Sequence, residues 1–212
     1  MFKKVKLGTR LALGFGAILC LATVLALSGL GALASVTDGF KVVTNDIWPK
    51  TDIANQNIQA AYDYARAFSY IVISEGKAGV DAGAIQAAHG ALIDTVKLVN
   101  DNVASLEKVL SNDEEKALLA KVKERRAAYG KSRNKVLEMK KAGENDGANE
   151  LMFTETSALQ TVYIQSWKDF IQFEKALLSK GVDAADTAYH FAKTMLISIL
   201  TAALIIGFLV AS

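Results

Sequence analysis

Two long stretches without a charged residue, one near each end of the chain, restrict most strongly how this sequence can fold. They occupy residues 11–37 and residues 194–212, and both consist mostly of apolar or small residues. About 20 predominantly apolar residues are enough to cross a bilayer as a helix. The sequence therefore predicts two transmembrane helices, which we place at residues 11–35 and 193–212.

The charge before the first stretch predicts the orientation of the chain. Residues 1–10 contain no acidic residue and four basic ones, which are Lys3, Lys4, Lys6 and Arg10. An excess of positive charge favours the cytoplasmic side of a membrane. We therefore expect residues 1–10 in the cytoplasm, residues 36–192 outside the cytoplasm, and the carboxyl terminus back in the cytoplasm.

A cleaved signal peptide is the alternative interpretation of the first stretch. The basic start fits it, and residues 32–34 (Ala-Leu-Ala) resemble a cleavage site before Ser35. The apolar part of a signal peptide, however, is usually about 7–15 residues long, and this stretch is longer. We therefore favour a retained membrane anchor.

Composition favours helices between the two stretches. Pro49 is the only proline and aromatic residues make up 8% of the chain, whereas the turns of a sheet protein need more helix-breaking residues. Apolar residues recur at three- and four-residue spacing through residues 40–72, which predicts a first helix with a kink or local irregularity at the proline. The glycines that follow predict a turn; they are Gly76, Gly79 and Gly83.

Three further helices follow from periodicity and capping signals. The second helix has a seven-residue repeat that is typical of a bundle seam, formed by Ile85, Leu92, Val99 and Leu106 and by His89, Val96, Val103 and Leu110. We expect His89 to be a packing residue of the core. Residues 111–115 resemble a helix start, and the third helix should run to about Lys141, before Gly143.

The fourth helix should begin near Asp146 and continue into the second apolar stretch. Its predicted inward residues are Met152, Leu159, Val162, Phe170, Phe173, Leu177, Ala184 and Ala188. Helices of about 30 residues with short connections predict an all-α fold. We expect an antiparallel up-down-up-down four-helix bundle flanked by two transmembrane helices.

The third helix concentrates positive charge and contains the candidate ligand-binding residues. Residues 113–142 include ten basic and five acidic residues. Arg126, Tyr129 and Arg133 fall within about 60° of one another on a helix, and the two arginines are about 10 Å apart along its axis. Their guanidinium groups could hold both ends of a small di- or tricarboxylate. The alternative is that each arginine pairs with an acidic residue across the bundle.

Residues at the same height on other helices extend this candidate site. We select Arg66 on the first helix and Thr95 on the second as ligand-binding residues. Further polar candidates at that height are Gln59, Tyr62, Thr154 and Thr161.

Several function classes receive no support from the sequence. Residues 11–212 hold 20 basic and 22 acidic residues, which does not favour nucleic-acid binding. Cys20 is the only cysteine, so an internal disulfide or a metal site built on thiolates is excluded. His89 and His190 are too far apart in height to favour a metal site. We predict no catalytic residue, no metal and no cofactor.

Several features together resemble one family of receptors. They are the basic start and first span, an Asn-x-x-x-Pro element from Asn45 to Pro49, the stretch from Asp113 to Gly143, and a long last helix that re-enters the membrane. In this combination the chain resembles the four-helix-bundle sensor region of bacterial methyl-accepting chemotaxis proteins. The Arg-x-x-Tyr-x-x-x-Arg pattern of Arg126 to Arg133 resembles the ligand-contacting motif of organic-acid-sensing members.

The resemblance implies a homodimeric periplasmic sensor for a ligand such as malate or citrate, which signals by a small displacement of its last helix. Full receptors of this kind continue with a HAMP linker and a cytoplasmic coiled coil that controls a histidine kinase, so we expect this chain to be the sensor part of a longer receptor. One alternative is the same module serving a histidine kinase or a cyclase. The other is a structural bitopic helical-bundle protein without a small ligand.

Overall fold

Helices account for nearly all of the chain in the computed structural model, which describes residues 7–75 and 77–211. They are α1 (Leu7–Val42), a first π-helical turn (Val43–Ile47), α2 (Trp48–Ser74), α3 (Ala82–Val109), α4 (Asp113–Lys141), α5 (Asn145–Leu151), a second π-helical turn (Met152–Thr156) and α6 (Ser157–Ala211). No strand occurs in these described ranges. The predicted all-α fold is therefore confirmed.

The chain divides into two compact units. The bundle unit comprises Asn45–Leu177, and the terminal unit comprises the described residues on either side of it. In the bundle unit, α2, α3, α4 and the α5–α6 stretch surround an apolar core. Its buried residues include Ala54, Leu106, Val122, Trp167 and Phe170. This is the four-helix bundle that the sequence predicts.

The terminal unit exposes its apolar side chains. Two helical stretches, Gly14–Ser74 and Asn145–Phe208, contain windows that are long and apolar enough to cross a membrane, judged by length and composition, and these windows are not buried. The exposed side chains include Phe15, Leu27, Leu30, Leu204 and Phe208. Of the four predicted basic residues before the first span, Lys3, Lys4 and Lys6 and the side chain of Arg10 lie outside the part of the chain that is described.

The irregularity predicted at Pro49 is confirmed. A π-helical turn ends at Ile47, and proline occupies one of the first two positions of α2. A proline ring lacks an N–H and collides with the carbonyl of the fourth residue before it in a regular α-helix. A wider turn immediately before the proline relieves this collision.

The connections between helices follow the predicted signals closely. Gly79 has a φ of +81° in the turn before α3, and Gly143 has a φ of +82° after α4. Gly83 instead lies inside the first turn of α3, where its N–H donates to the Asp81 carboxylate at 2.9 Å. The predicted turn residue Gly76 lies outside the described residues. Asn112 caps α4 in a capping box with Glu115, as the start signal of the third helix indicates.

The seam of α3 is buried only in its second half. Val99, Val103, Leu106 and Leu110 are buried. The expectation that His89 packs in the core is wrong, because its side chain is 48% exposed and its Nε2 lies 3.7 Å from Glu75 Oε1. In the first half of the seam, Ile85 and Leu92 are only partly buried, with Leu92 packed against the cluster around Phe68 and Val136.

The inward face of the last helix differs from the predicted one after Met152. Met152 and Phe170 are buried as expected, but Val162 is exposed and its neighbour Tyr163 is buried instead. Ala184 is also exposed. The second π-helical turn inserts one extra residue, which rotates the following side chains by about 100° relative to an uninterrupted α-helix.

Candidate functional site

A small cavity lies among the four helices of the bundle unit. Its volume is about 30 Å³, which is room for one or two water molecules. Each of α2, α3, α4 and α6 contributes to its wall. The lining residues are Ala60, Ala61, Tyr64, Thr95, Val96, Val99, Arg126, Tyr129, Arg133 and Tyr163.

Four of the five predicted site residues meet at this cavity. Arg126, Tyr129 and Arg133 reach it from one face of α4, and Thr95 reaches it from α3. Positions three and four residues apart share one face of an α-helix. The spacing of these three residues in the sequence therefore places them together at the cavity. The Thr95 hydroxyl donates to the carbonyl of Ala91 at 2.6 Å, which holds it against its own helix.

The structure does not bring Arg66 to this cavity. Its side chain is 81% exposed, and its Nη2 lies 2.7 Å from Asp63 Oδ1. Arg66 follows Tyr64 by two positions, which places it on nearly the opposite side of α2. The other polar candidates also lie outside the lining: Gln59 donates to Asp63, Tyr62 is exposed, and the hydroxyls of Thr154 and Thr161 donate to carbonyls within their own helical turns.

Arg133 is held between aromatic rings. Its guanidinium carbon lies 3.8 Å from the centroid of the Tyr64 ring and 4.5 Å from that of Tyr129. The Tyr129 ring stacks in turn on Tyr163, with centroids 6.2 Å apart. A guanidinium over the face of a ring is attracted by the ring quadrupole. The cation is thus oriented by neutral groups, and its buried Nε has no hydrogen-bond partner.

Arg126 also has a neutral partner. Its Nη2 donates to Asn100 Oδ1 at 2.8 Å. Within the described residues, no carboxylate forms an ion pair with Arg126 or with Arg133. The alternative prediction, that both arginines pair with acidic residues across the bundle, is therefore wrong for the described residues. The two positive charges at the cavity therefore have no carboxylate partner in the part of the chain that the structure describes.

Tyr129 and Tyr163 remain protonated at neutral pH. Burial raises the pKa of Tyr129 to about 12, although the positive charge of Arg133 acts in the opposite direction. Burial likewise raises the pKa of Tyr163, although the Trp167 indole N–H and the charges of Arg126 and Arg133 act in the opposite direction. A neutral phenol can donate a hydrogen bond as well as accept one. The cavity therefore combines two cations with phenolic donors and one threonine hydroxyl.

Two aromatic residues of the site were not predicted from the sequence. Tyr64 lies four positions before the buried Phe68 and belongs to the same stripe of α2, so helical periodicity could have found it. Tyr163 could not be found in that way, because the π-helical turn before it changes the phase of the stripe. The missed residues are those that orient Arg133 and complete the stack beside it.

The chain matches one known protein family over most of its length. The model of a family described as a four helix bundle sensory module for signal transduction matches residues 4–189. No curated protein and no solved structure shows significant similarity to the chain. The matched range includes the whole of the bundle unit and therefore every residue that lines the cavity.

Proposed function

Because the chain belongs to the family of four-helix-bundle sensory modules for signal transduction, we propose that it is the sensor region of a transmembrane chemoreceptor for a small organic anion. The proposed ligand class is di- and tricarboxylates such as malate and citrate. The proposed binding residues are Arg126, Tyr129, Arg133 and Thr95; Arg66 is not retained.

One observation carries this proposal. Two guanidinium groups line a common cavity, and neither has a carboxylate partner within the described residues. Guanidinium groups form strong, often bidentate hydrogen bonds with carboxylates. A dicarboxylate would supply the missing negative charges, one for each arginine, and the neutral phenol of Tyr129 would be available as a donor between them.

The small volume of the cavity suggests how binding would produce a signal. Small-molecule sites usually enclose about 300–1,000 Å³, far more than the 30 Å³ present here. A dicarboxylate would have to part the helices or draw Arg133 away from the Tyr64 ring. Since Tyr163 of α6 lines the same cavity, opening it would displace α6 slightly. The ligand would favour this open arrangement because it binds only there.

The proposed topology places the site outside the cytoplasm. Residues 1–10 would be cytoplasmic, residues 11–35 and 193–212 would span the inner membrane, and residues 36–192 would form the periplasmic ligand-binding domain. The exposed apolar side chains of the terminal unit support this, because such side chains are stable in lipid and costly in water. We further propose that the receptor acts as a homodimer.

Calorimetric titration of the full chain in lipid nanodiscs tests the proposed ligand class. Malate and citrate should release or absorb heat with a saturable isotherm, whereas uncharged sugars should give none. Arg133→Ala should abolish the signal, and Arg126→Ala should weaken it at least about tenfold, since a charge-assisted hydrogen bond contributes about 1.5–3 kcal/mol. Arg66→Ala is the matched control and should bind like the wild type.

Two outcomes would contradict the proposal. An unchanged isotherm in both Arg126→Ala and Arg133→Ala would move the ligand elsewhere. Absence of heat with every carboxylate, in a protein whose helical circular dichroism is intact, would favour the structural alternative without a small ligand.

A further inference from the structure

A second group of charged residues lies inside the bundle unit, away from the arginine site. Lys50 of α2, Glu115 of α4 and Glu174 of α6 are 1%, 2% and 0% exposed, respectively. Asp46, in the first π-helical turn, approaches Lys50 from the partly exposed side. We call these four residues the buried acidic cluster. Charged side chains are rarely buried unless each is paired, so the pairing within this cluster decides its charge state.

Lys50 and Glu115 satisfy each other. Lys50 Nζ lies 2.8 Å from Glu115 Oε1 and 2.6 Å from Asp46 Oδ1. The second oxygen of Glu115 accepts a hydrogen bond from the backbone N–H of Asn112 at 3.3 Å. Both oxygens of Glu115 therefore accept a hydrogen bond. Burial alone would lower the pKa of Lys50, but the hydrogen bonds to Asp46 and Glu115 outweigh it and raise that pKa.

Glu174 has no such donors. Both of its carboxylate oxygens are buried, and neither has a hydrogen-bond partner when the group is ionised. Its neighbour Glu115 is itself an acceptor, so a bond between the two carboxyl groups requires a proton on one of them. Because Glu115 already accepts two hydrogen bonds and Glu174 accepts none, the proton belongs on Glu174.

The charge balance of the cluster leads to the same assignment. Three ionised carboxylates and one ammonium group would leave two uncompensated negative charges in a largely buried site. One proton reduces this to a single negative charge, which Asp46 carries at the exposed edge. The groups that act on Glu174 come from the first π-helical turn (Asp46), α2 (Lys50) and α4 (Glu115). None of these groups comes from α3, whose buried residues Leu106 and Leu110 are apolar.

We propose that the buried acidic cluster is a proton-binding site, so that the packing of α6 against α2 and α4 depends on pH. The proton resides on Glu174 and forms a hydrogen bond to Glu115. This site is independent of the proposed ligand function, because it needs only the ligand-free protein.

The pKa of Glu174 agrees with this geometry. Burial raises it most, Lys50 lowers it, and the nearby Glu115 raises it again, with a net value of about 7 against an ordinary 4.5. A carboxyl whose folded pKa is raised contributes its stabilisation fully below about pH 4.5 and loses it as the pH rises through 7. Deprotonation should therefore loosen the cluster as the pH rises from mildly acidic to mildly alkaline values.

A carboxyl titration of the full chain in nanodiscs tests the proposal directly. In ¹³C NMR spectra of glutamate-labelled wild-type protein, one side-chain carboxyl should titrate near pH 7. Glu174→Gln should remove that resonance, and Glu124→Gln, at an exposed position of α4, should leave it in place. If every glutamate is ionised by about pH 6, the proposal is overturned, whether or not a variant folds.

A stability measurement provides the second test. Glutamine resembles a protonated glutamate, so the Tm of Glu174→Gln should not follow the decline of the wild type between about pH 5 and pH 8. The Tm difference between variant and wild type should grow by at least about 2 °C over this range, whereas the corresponding difference for Glu124→Gln should stay constant. A Glu174→Gln difference that is equal at both pH values would contradict proton binding at this site.

Discussion

The arginine site and the buried acidic cluster lie in the same bundle unit and have opposite imbalances of charge. Around Arg126 and Arg133 there are two cations and no carboxylate partner among the described residues, whereas around Lys50 there are three carboxylates and one cation. The first imbalance is tolerated because aromatic rings and an amide orient the cations. The second is relieved by a proton. The net charge of such a buried site thus indicates the charge of its ligand: an anion for the two arginines and a proton for the carboxylates.

Removing the only cation of the acidic cluster should have the largest effect. Lys50→Met leaves Glu115 and Glu174 buried without a positive partner, and breaking a buried ion pair in this way typically costs about 3–5 kcal/mol. The free energy of unfolding, measured with denaturant in detergent micelles, should fall by that amount. Lys97→Met is the matched control; its ion pair with Asp101 is exposed, so stability should not change measurably. Equal stability of the two variants would mean that the cluster is hydrated.

At the arginine site, losing an aromatic ring should have a smaller effect than losing the lysine has in the cluster. Tyr64→Leu removes the ring closest to the Arg133 guanidinium but keeps an apolar side chain, and the lost cation–π attraction amounts to about 1–2 kcal/mol. Tyr62→Leu, on the exposed side of the same helix, is the control. Chemical denaturation of both variants checks this prediction. A larger loss for Tyr62→Leu would show that the ring of Tyr64 does not hold the cation.

The cap of α4 should matter less again. Asn112→Ala removes the side-chain acceptor of the Glu114 N–H and should reduce the free energy of unfolding by about 1 kcal/mol. It leaves the backbone N–H that donates to Glu115 in place, so the titration of Glu174 should stay near pH 7. Ser111→Ala serves as the control for an exposed neighbour. A shift of the Glu174 titration in Asn112→Ala would show that the cap also positions the acidic cluster.

The smallest effect at neutral pH concerns the phenol of Tyr129. Its folded pKa of about 12 exceeds the ordinary value of 10, so its stabilisation is complete below about pH 10 and is lost as the pH rises toward 12. Tyr129→Phe should therefore lose less stability than the wild type between about pH 9 and pH 11, while Tyr70→Phe should behave like the wild type. Thermal unfolding across this range provides the measurement. Parallel pH profiles for all three proteins would contradict burial of the phenol.

The two sites also differ in how far the sequence could predict them. Arg126, Tyr129 and Arg133 belong to one helix, so their common face follows from helical geometry alone. Thr95 could be added from the heights of antiparallel helices. The Lys50–Glu115 pair joins residues 65 positions apart, and Glu174 lies on a third helix. Nothing local in the sequence distinguishes these three side chains from the many charged residues on solvated faces.

Helix boundaries were predicted more accurately than helix phase. The limits of α3 and α4 follow from glycines, Asn112 and heptad spacing, all of which act over a few residues. The burial of Tyr163 in place of Val162, and the exposure of His89, depend on where neighbouring helices lie. Tertiary packing determines the positions of the neighbouring helices, and the periodicity of one helix gives no information about them.

The extra residue of the π-helical turn at Met152–Thr156 determines which side chains of α6 face the interior of the bundle. Deleting one residue there would restore regular α-helical hydrogen bonding and turn Tyr163, Trp167 and Glu174 together by about a quarter of a revolution. Both the aromatic stack and the proton-holding carboxylate would then leave the interior in a single step.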